Sequence, residues 1–568
     1  MAFSHWALHA FLAVSILMPG CTPGCRRRVL REDAAEKADH EVSQIFAQRR
    51  DAVPGAPATV GIERLGQDEL DRFTPPQPKE PAGLPVPEEE TEAAEKGNGL
   101  PPVEGAHRLT LREALELAAR HSREYQTRKE DLYLVVLALT RERFRWDPQW
   151  TGDLNAGAAR TPNSKWAELG SAFTFSRLLN LGGRLTASLA TDLVRFSAGD
   201  PRTTATSLLG FEFLQPLWRN YGSLVAKEGL TQAERDVVYA LRSFAHYRKS
   251  FCVDVTSRYY RVLQQRDTVM NQWSNYKRIR QSRADREAER LEGLVEALQV
   301  DQIRQDELRA RASWVRALRQ YREQIDQFKV FLGLPADALV ELDAVEGDRL
   351  REAGLREITL SPDAASAIAL ERRLDLLTAT DRIGDAERAV EIARNGLAPD
   401  VDLKLSTSIP SDPPTNALKL EPHRGTYSAG VTVGLPLQRL EERNAYRSAL
   451  IGLDRARRSA DDLREQIKLE VREASRTLQE TSTTYRIERD SVALAQRREQ
   501  AARELFRIGE AIARDLLDAN EALVNAQNAL TRALVDHILA RLALWRDTEL
   551  LRVDEHGVWQ EVTDVNQQ

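Results

Sequence analysis

The sequence predicts an α+β membrane protein: a helix–β-hairpin–helix plan written twice, with long coiled-coil helices and a few amphipathic strands. Three observations predict it. Charged residues make up 29% of the chain and aromatics only 6%, which suits thin, solvated helices better than thick globular cores. Short stretches alternate apolar and polar side chains with a period of two. Two long helical stretches each contain one glycine interruption at a comparable point.

The N-terminus reads as an address label. Trp6 to Met18 is an apolar run broken only by His9 and Ser15, followed by Leu17-Met18-Pro19-Gly20-Cys21. The run is too short to span a bilayer and suits a signal sequence over residues 1–25. It resembles a lipobox, with Cys21 as the lipidated residue and Cys25 as the alternative; plain secretion is the competing reading. No Lys or Arg precedes the run, and Met18 is unusual at its position. The third cysteine, Cys252, lies in a helical stretch and reads as a small buried side chain. Three cysteines give no disulfide framework and no zinc-type spacing.

Residues 26–105 are Pro- and Glu-rich, as in Pro75-Pro76-Gln77-Pro78 and Pro87-Glu88-Glu89-Glu90. Such sequence cannot fold alone and reads as a flexible or peripherally docked extension, with a short helix over 31–50.

The first copy of the plan covers 106–340 and the second 341–552, leaving a tail at 553–568. Leu109-Thr110-Leu111 and Ile358-Thr359-Leu360 open the copies, with Thr110 and Ser361 as N-caps. The opening helices stop at Pro148 and Pro399. Val401, Leu403, Leu405, Thr407 and Ile409 then alternate with Asp402, Lys404, Ser406 and Ser408. In the first copy Trp150, Gly152, Leu154 and Ala156 alternate with Thr151, Asp153, Asn155 and Gly157. That period fits a strand between lipid and a watery lumen, and equally a half-buried strand of a soluble sandwich, which needs many more strands.

The first copy also holds an insertion of roughly thirty residues, judged by offset between copies. It includes Ser171–Phe175 and Arg184–Leu193 around the hairpin signal Gly182-Gly183. The pattern fits added barrel strands or a hairpin folded beside the barrel.

Long helices follow at about 224–334 and 440–551. In the second, Ile467, Val471, Ala474, Leu478, Tyr485 and Val492 form a coiled-coil stripe. Gly293 and Gly509 mark hairpin tips. The outgoing arms run ~105 Å, the return arms ~60 Å and the opening helices ~55 Å at 1.5 Å per residue. A return arm stacked on an opening helix therefore matches one outgoing arm, which makes a wall rather than a ball.

The junction phrases are Phe331-Leu332-Gly333-Leu334-Pro335, Leu435-Pro436-Leu437, Arg443-Asn444-Ala445-Tyr446 and Phe506-Arg507-Ile508-Gly509-Glu510-Ala511 leading to Asp515-Leu516-Leu517-Asp518-Ala519. In this order, over about 106–552, the chain resembles the TolC family of outer-membrane efflux proteins. The resemblance implies a homotrimer in the outer membrane, each protomer giving four strands to a shared β-barrel of twelve. It implies a helical tunnel through the periplasm, fed by an inner-membrane transporter and a periplasmic adaptor. The adaptor would meet the tips around Gly293, Leu294, Gly509 and Glu510. Asp515 and Asp518 fit pore-entrance carboxylates or simply a solvated helix face; the family's gating aspartates cannot be carried onto this sequence.

The implied function is an exit duct of a tripartite efflux pump or type I secretion system; the alternative is a periplasmic adaptor or coiled-coil scaffold. The Walker, Rossmann, Gly-x-Ser-x-Gly and metal-type His patterns of enzymes are missing, so no catalytic residue or cofactor is expected. The net charge of −6, and the acids Asp285, Glu287 and Glu289 that follow soon after Arg278, Arg280 and Arg283, argue against a nucleic-acid partner.

Overall fold

The computed structural model describes residues 23–50, 53–56 and, with short internal exceptions, 94–560; those exceptions include 102–104, 163–164, 199–202, 293–296, 357–359, 413–415, 436 and 509. Helix α1 spans Pro23–Arg50. The first long unit begins with a short strand β1 (His107–Leu109), then α2 (Leu111–His121) and α3 (Arg123–Phe144). Thr110 caps α2: its hydroxyl accepts the Glu113 N–H, and the Glu113 carboxylate accepts the Thr110 N–H. Four strands follow, β2 (Gln149–Arg160), β3 (Lys165–Leu178), β4 (Arg184–Ala198) and β5 (Thr203–Pro216). A helical hairpin of α4 (Glu228–Leu291) and α5 (Ala297–Leu332) completes it.

The second unit has β6 (Val340–Leu342), paired parallel with β1, and α6 (Ala344–Ala353). Then come α7 (Pro362–Arg372), α8 (Leu374–Asn395), β7 (Asp400–Asp412), a short β8 (Asn416–Leu420) and β9 (Thr426–Gly434). Ser361 caps α7 by accepting the Ala364 N–H at 3.2 Å. The hairpin α9 (Leu440–Arg507) and α10 (Ala513–Asp547) leads to the small ribbon β10 (Arg552–Val553) and β11 (Trp559–Gln560). The opening helices of both units have 11 and 22 residues, with an extended break at Ser122 in one and at Arg373 in the other.

The helices form a wall one layer thick. Helix α4 packs on α3 and α5 along one side and on α10 and α8 along the other. Helix α9 packs on α10, α8 and α7. Four columns result: α2/α3 with α5, then α4, then α7/α8 with α10, then α9. Return helices stack on opening helices where Gly333 closes α5. Its φ is +87°, and a Cβ there would sit 2.0 Å from the His121 carbonyl oxygen, so only glycine fits. Rings thread this seam: Phe251 lies 5.6 Å from Phe331 and 5.1 Å from Tyr125.

All long strands lie in one antiparallel sheet, ordered β2-β3-β4-β5-β7, with β9 on the far side of β7 and β8 paired only to the tip of β7. This corrects the expected four strands per protomer: among the described residues, six long strands are present. The insertion supplies the extra pair, β3 and β4, turned at Gly182 (φ +90°) and lodged between β2 and β5. Alternation alone could not locate them, because strand neighbours are a non-local property.

The described parts of the N-terminal extension are docked. Val42, Ile45 and Phe46 of α1, with Val53 and Ala94, are buried in the main apolar cluster. Tyr133 donates to Asp39 at 2.5 Å, Arg248 to the Gly55 carbonyl at 3.0 Å, and buried Trp314 to the Gly99 carbonyl at 2.9 Å. Cys252 is buried as expected, and burial pushes its thiol up to about 12.

Candidate functional site

Opposite residues of an antiparallel pair share a face, so the register sorts every strand into two. One face carries Trp150, Leu154, Phe173, Phe175, Leu189, Leu193, Phe211, Leu405, Val431 and Val433. Many of these are exposed large side chains in the single chain, Trp150 at 76%. The opposite face carries Asp153, Thr174, Glu168, Ser188, Asp192, Glu212, Lys404, Ser406 and Ser428. Polar groups pair across that face: Lys404 lies 3.2 Å from Glu212, and the Ser406 and Ser428 hydroxyls are 2.6 Å apart. An apolar outside and a polar inside is the pattern of a barrel wall in lipid. Among the described residues, no helix is long and apolar enough to cross a membrane.

Among the described residues, the sheet has two open edges, β2 and β9. The helical wall is open on both flanks. On α9, Ile451, Leu469, Ile487 and Leu505 are exposed at intervals of 18 residues, five helical turns, so they form one stripe. Leu469 lies about 200° around the helix from buried Ile467, on the side away from the packed neighbours. The other flank exposes Leu308, Val315 and Val330 of α5.

The tips lie between Leu291 and Ala297 and between Arg507 and Ala513. Gly293, Leu294 and Gly509 fall outside the described residues; Glu510 is exposed beside them. Asp515 and Asp518 sit three residues apart on one exposed face of α10, while Leu516 and Ala519 turn inward. The Asp515 carboxylate accepts the Ile512 N–H at 3.4 Å, at the positive end of the helix.

Just above the tips the two hairpins are joined by a contact that sequence reading missed. Arg286 stacks on the Phe506 ring and donates to the Phe506 carbonyl oxygen. The other arginines of this stretch are paired too: Arg278 with Asn520 at 3.1 Å, Arg280 with Glu95 at 2.8 Å and Arg283 with Glu307 at 2.5 Å. Burial lowers the pKa of Arg278. At mid-wall, Glu549 meets Lys249 at 2.7 Å and His246 at 3.5 Å. Burial raises this carboxyl, but the His246 and Lys249 partners outweigh it and hold it below its usual value. Cys21 lies outside the described residues, and Cys25 falls in the first turn of α1.

A sheet with one apolar and one polar face, open at both edges and standing on a one-layer helical wall, has the geometry of one segment of a ring. Residues 365–546 match the family model described as Outer membrane efflux protein. No curated protein matches the chain in sequence. Among solved structures it is similar to CusC, described by its transmembrane channel formation, at TM-score 0.59 and 14% identity, covering 77% of this chain and 91% of that one. A membrane protein from Pseudomonas aeruginosa gives 0.59 and 17%, covering 77% and 92%. The Campylobacter jejuni CmeC outer membrane channel gives 0.58 and 12%, covering 90% and 96%. Over residues 365–546 the chain is similar to outer membrane efflux proteins, and its fold is that of the solved outer-membrane channels. Those solved structures include proteins described as outer-membrane channels.

Proposed function

We propose that three copies of this chain close into one ring and form the exit duct of a tripartite efflux pump or a type I secretion system. The observation behind this reading is the pair of unsatisfied edges. Unpaired N–H and C=O groups of β2 and β9 each cost several kcal/mol in lipid, on the order of 2–7 for one amide. A second copy that offers its own β9 to β2 removes that cost. The same rotation brings the exposed stripe of α9 against the exposed apolar residues of the α5 column, so both layers are sealed by one contact. The count of three rests on the family likeness.

In this reading the α4–α5 and α9–α10 tips, around Gly293, Leu294, Gly509 and Glu510, meet a periplasmic adaptor and through it an inner-membrane transporter. Asp515 and Asp518, repeated three-fold around the axis, would place carboxylates near the tunnel mouth and favour cations there. Deletion of the gene tests the role. Heightened sensitivity to a panel of toxic compounds is expected for an efflux duct, and loss of one secreted protein for a secretion duct. A deletion strain unchanged in both respects contradicts the proposal.

A further inference from the structure

We infer that the assembled duct crosses the membrane as an eighteen-strand barrel, about as wide as its helical tunnel, and therefore admits solutes too bulky for a twelve-strand pore. The inference rests on the trimeric duct proposed above, because eighteen is three copies of the six long strands of one chain.

The first support is pairing. A hairpin folded beside the barrel would leave β2 next to β5; instead β3 covers β2 and β4 covers β5 along nearly their whole lengths. The second is length. Strands β3 and β4 have 14 and 15 residues, and crossing a bilayer takes roughly 9–11 tilted residues. The third is side-chain order. Leu169, Phe173, Leu189 and Leu193 continue the apolar face from β2 to β5, broken by one polar row in which the Thr191 and Ser207 hydroxyls bond each other beside Ser171, while Glu168, Thr174, Ser188 and Asp192 continue the polar face.

The fourth is fit between the layers. Six strands about 4.8 Å apart and tilted ~40° span an arc of about 38 Å. The four helical columns of the same chain, 8–10 Å apart, span about 32–40 Å. The two walls thus meet edge to edge. Four strands would span only about 25 Å and narrow the duct at the membrane. Closed rings of eighteen and twelve strands have diameters of about 36 Å and 24 Å, roughly a two-fold difference in cross-section.

The test compares the full chain with a variant lacking residues 165–198, which leaves one hairpin of β2 and β5 like that of β7 and β9. Electron cryomicroscopy of the detergent-extracted assemblies reads strand number directly. Eighteen strands are expected in the full-length trimer and twelve in the variant. Neutral polymers added at the outer face to single channels in bilayers read width, and the largest polymer admitted should have about 1.5-fold greater radius in the full chain. A trimer with twelve barrel strands and β3–β4 folded outside would overturn the inference and leave the duct intact. An equal polymer limit for both proteins would also overturn it. A soluble monomer, or a twelve-strand dimer, would overturn the trimeric duct as well. Should the variant fail to assemble, the strand count of the full-length trimer alone decides.

Discussion

The guanidinium of Arg286 lies 3.8 Å above the ring of Phe506, tying the end of α4 to the end of α9 across the gap between the two hairpins. Arg286 also reaches Glu289 at 2.5 Å on its own helix, so one buried side chain serves a stack, an ion pair and a carbonyl. Arg286→Ala should free the lower ends of the hairpins. Losing about 2 kcal/mol of cation–π and charge-assisted bonding makes local opening roughly thirty-fold easier. Hydrogen exchange at residues 500–515 should accelerate accordingly. Arg286→Lys should restore little, because an ammonium cannot stack flat on the ring while donating sideways. Unchanged exchange in Arg286→Ala would mean that the contact does not hold the tips.

Glu549 sets a pH dependence. Its carboxyl is depressed in the fold, so its contribution is complete above the unfolded value of about 4.3 and is lost as pH falls through the folded value. Glu549→Gln strands the buried Lys249 ammonium and should cost about 3 kcal/mol at pH 7. Thermal melting of the variant should approach that of the parent near pH 3. A gap that stays constant from pH 7 to pH 3 would rule out this linkage.

Gly333→Ala should be poorly tolerated. The added methyl meets the His121 carbonyl in a conformation that alanine disfavours, and the return helix must move off the opening helix. A loss above about 3 kcal/mol is expected, read as a lower yield of assembled protein from membranes. Near-normal yield and melting would show that this junction is not tight.

The two faces of β4 separate neighbouring residues by environment. Leu189→Arg puts a charge on the lipid side and should cost about 2–4 kcal/mol near mid-bilayer. Ala190→Arg, one residue on, points to the lumen and should insert normally. Comparable membrane yields for the two would contradict the assigned faces.

Cys252 should resist water-soluble thiol reagents at pH 8 in the native protein and react once denaturant is added, because its thiol is buried and pushed up to about 12. Rapid labelling without denaturant would place it at the surface.

Legibility in the sequence followed the range of the interactions. Alternation across 401–409 announced the two faces of β7, and Gly293 and Gly509 announced reversals that fall between Leu291 and Ala297 and between Arg507 and Ala513. Those are local signals of period and backbone freedom. The place of β3–β4 was illegible, since Phe173 and Phe175 alternate in the same way inside or outside a barrel. Arg286 and Phe506 are 220 residues apart, and nothing in either neighbourhood names the other. The N-terminal extension looked peripheral because it is mostly polar. Its few apolar residues, Val42, Ile45 and Phe46, are ordered by the helices they dock against.

Inter-chain pairing of β2 with β9 is the claim on which the ring depends. Thr151→Cys combined in turn with Ser428→Cys, Gly430→Cys or Thr432→Cys places sulfurs on the lumenal side of both edges. Oxidation in intact cell envelopes should give, for at least one pair, covalent dimers and trimers and nothing larger. Crosslinks confined within single chains, or no crosslinks with the protein recovered in the soluble fraction, would contradict the account.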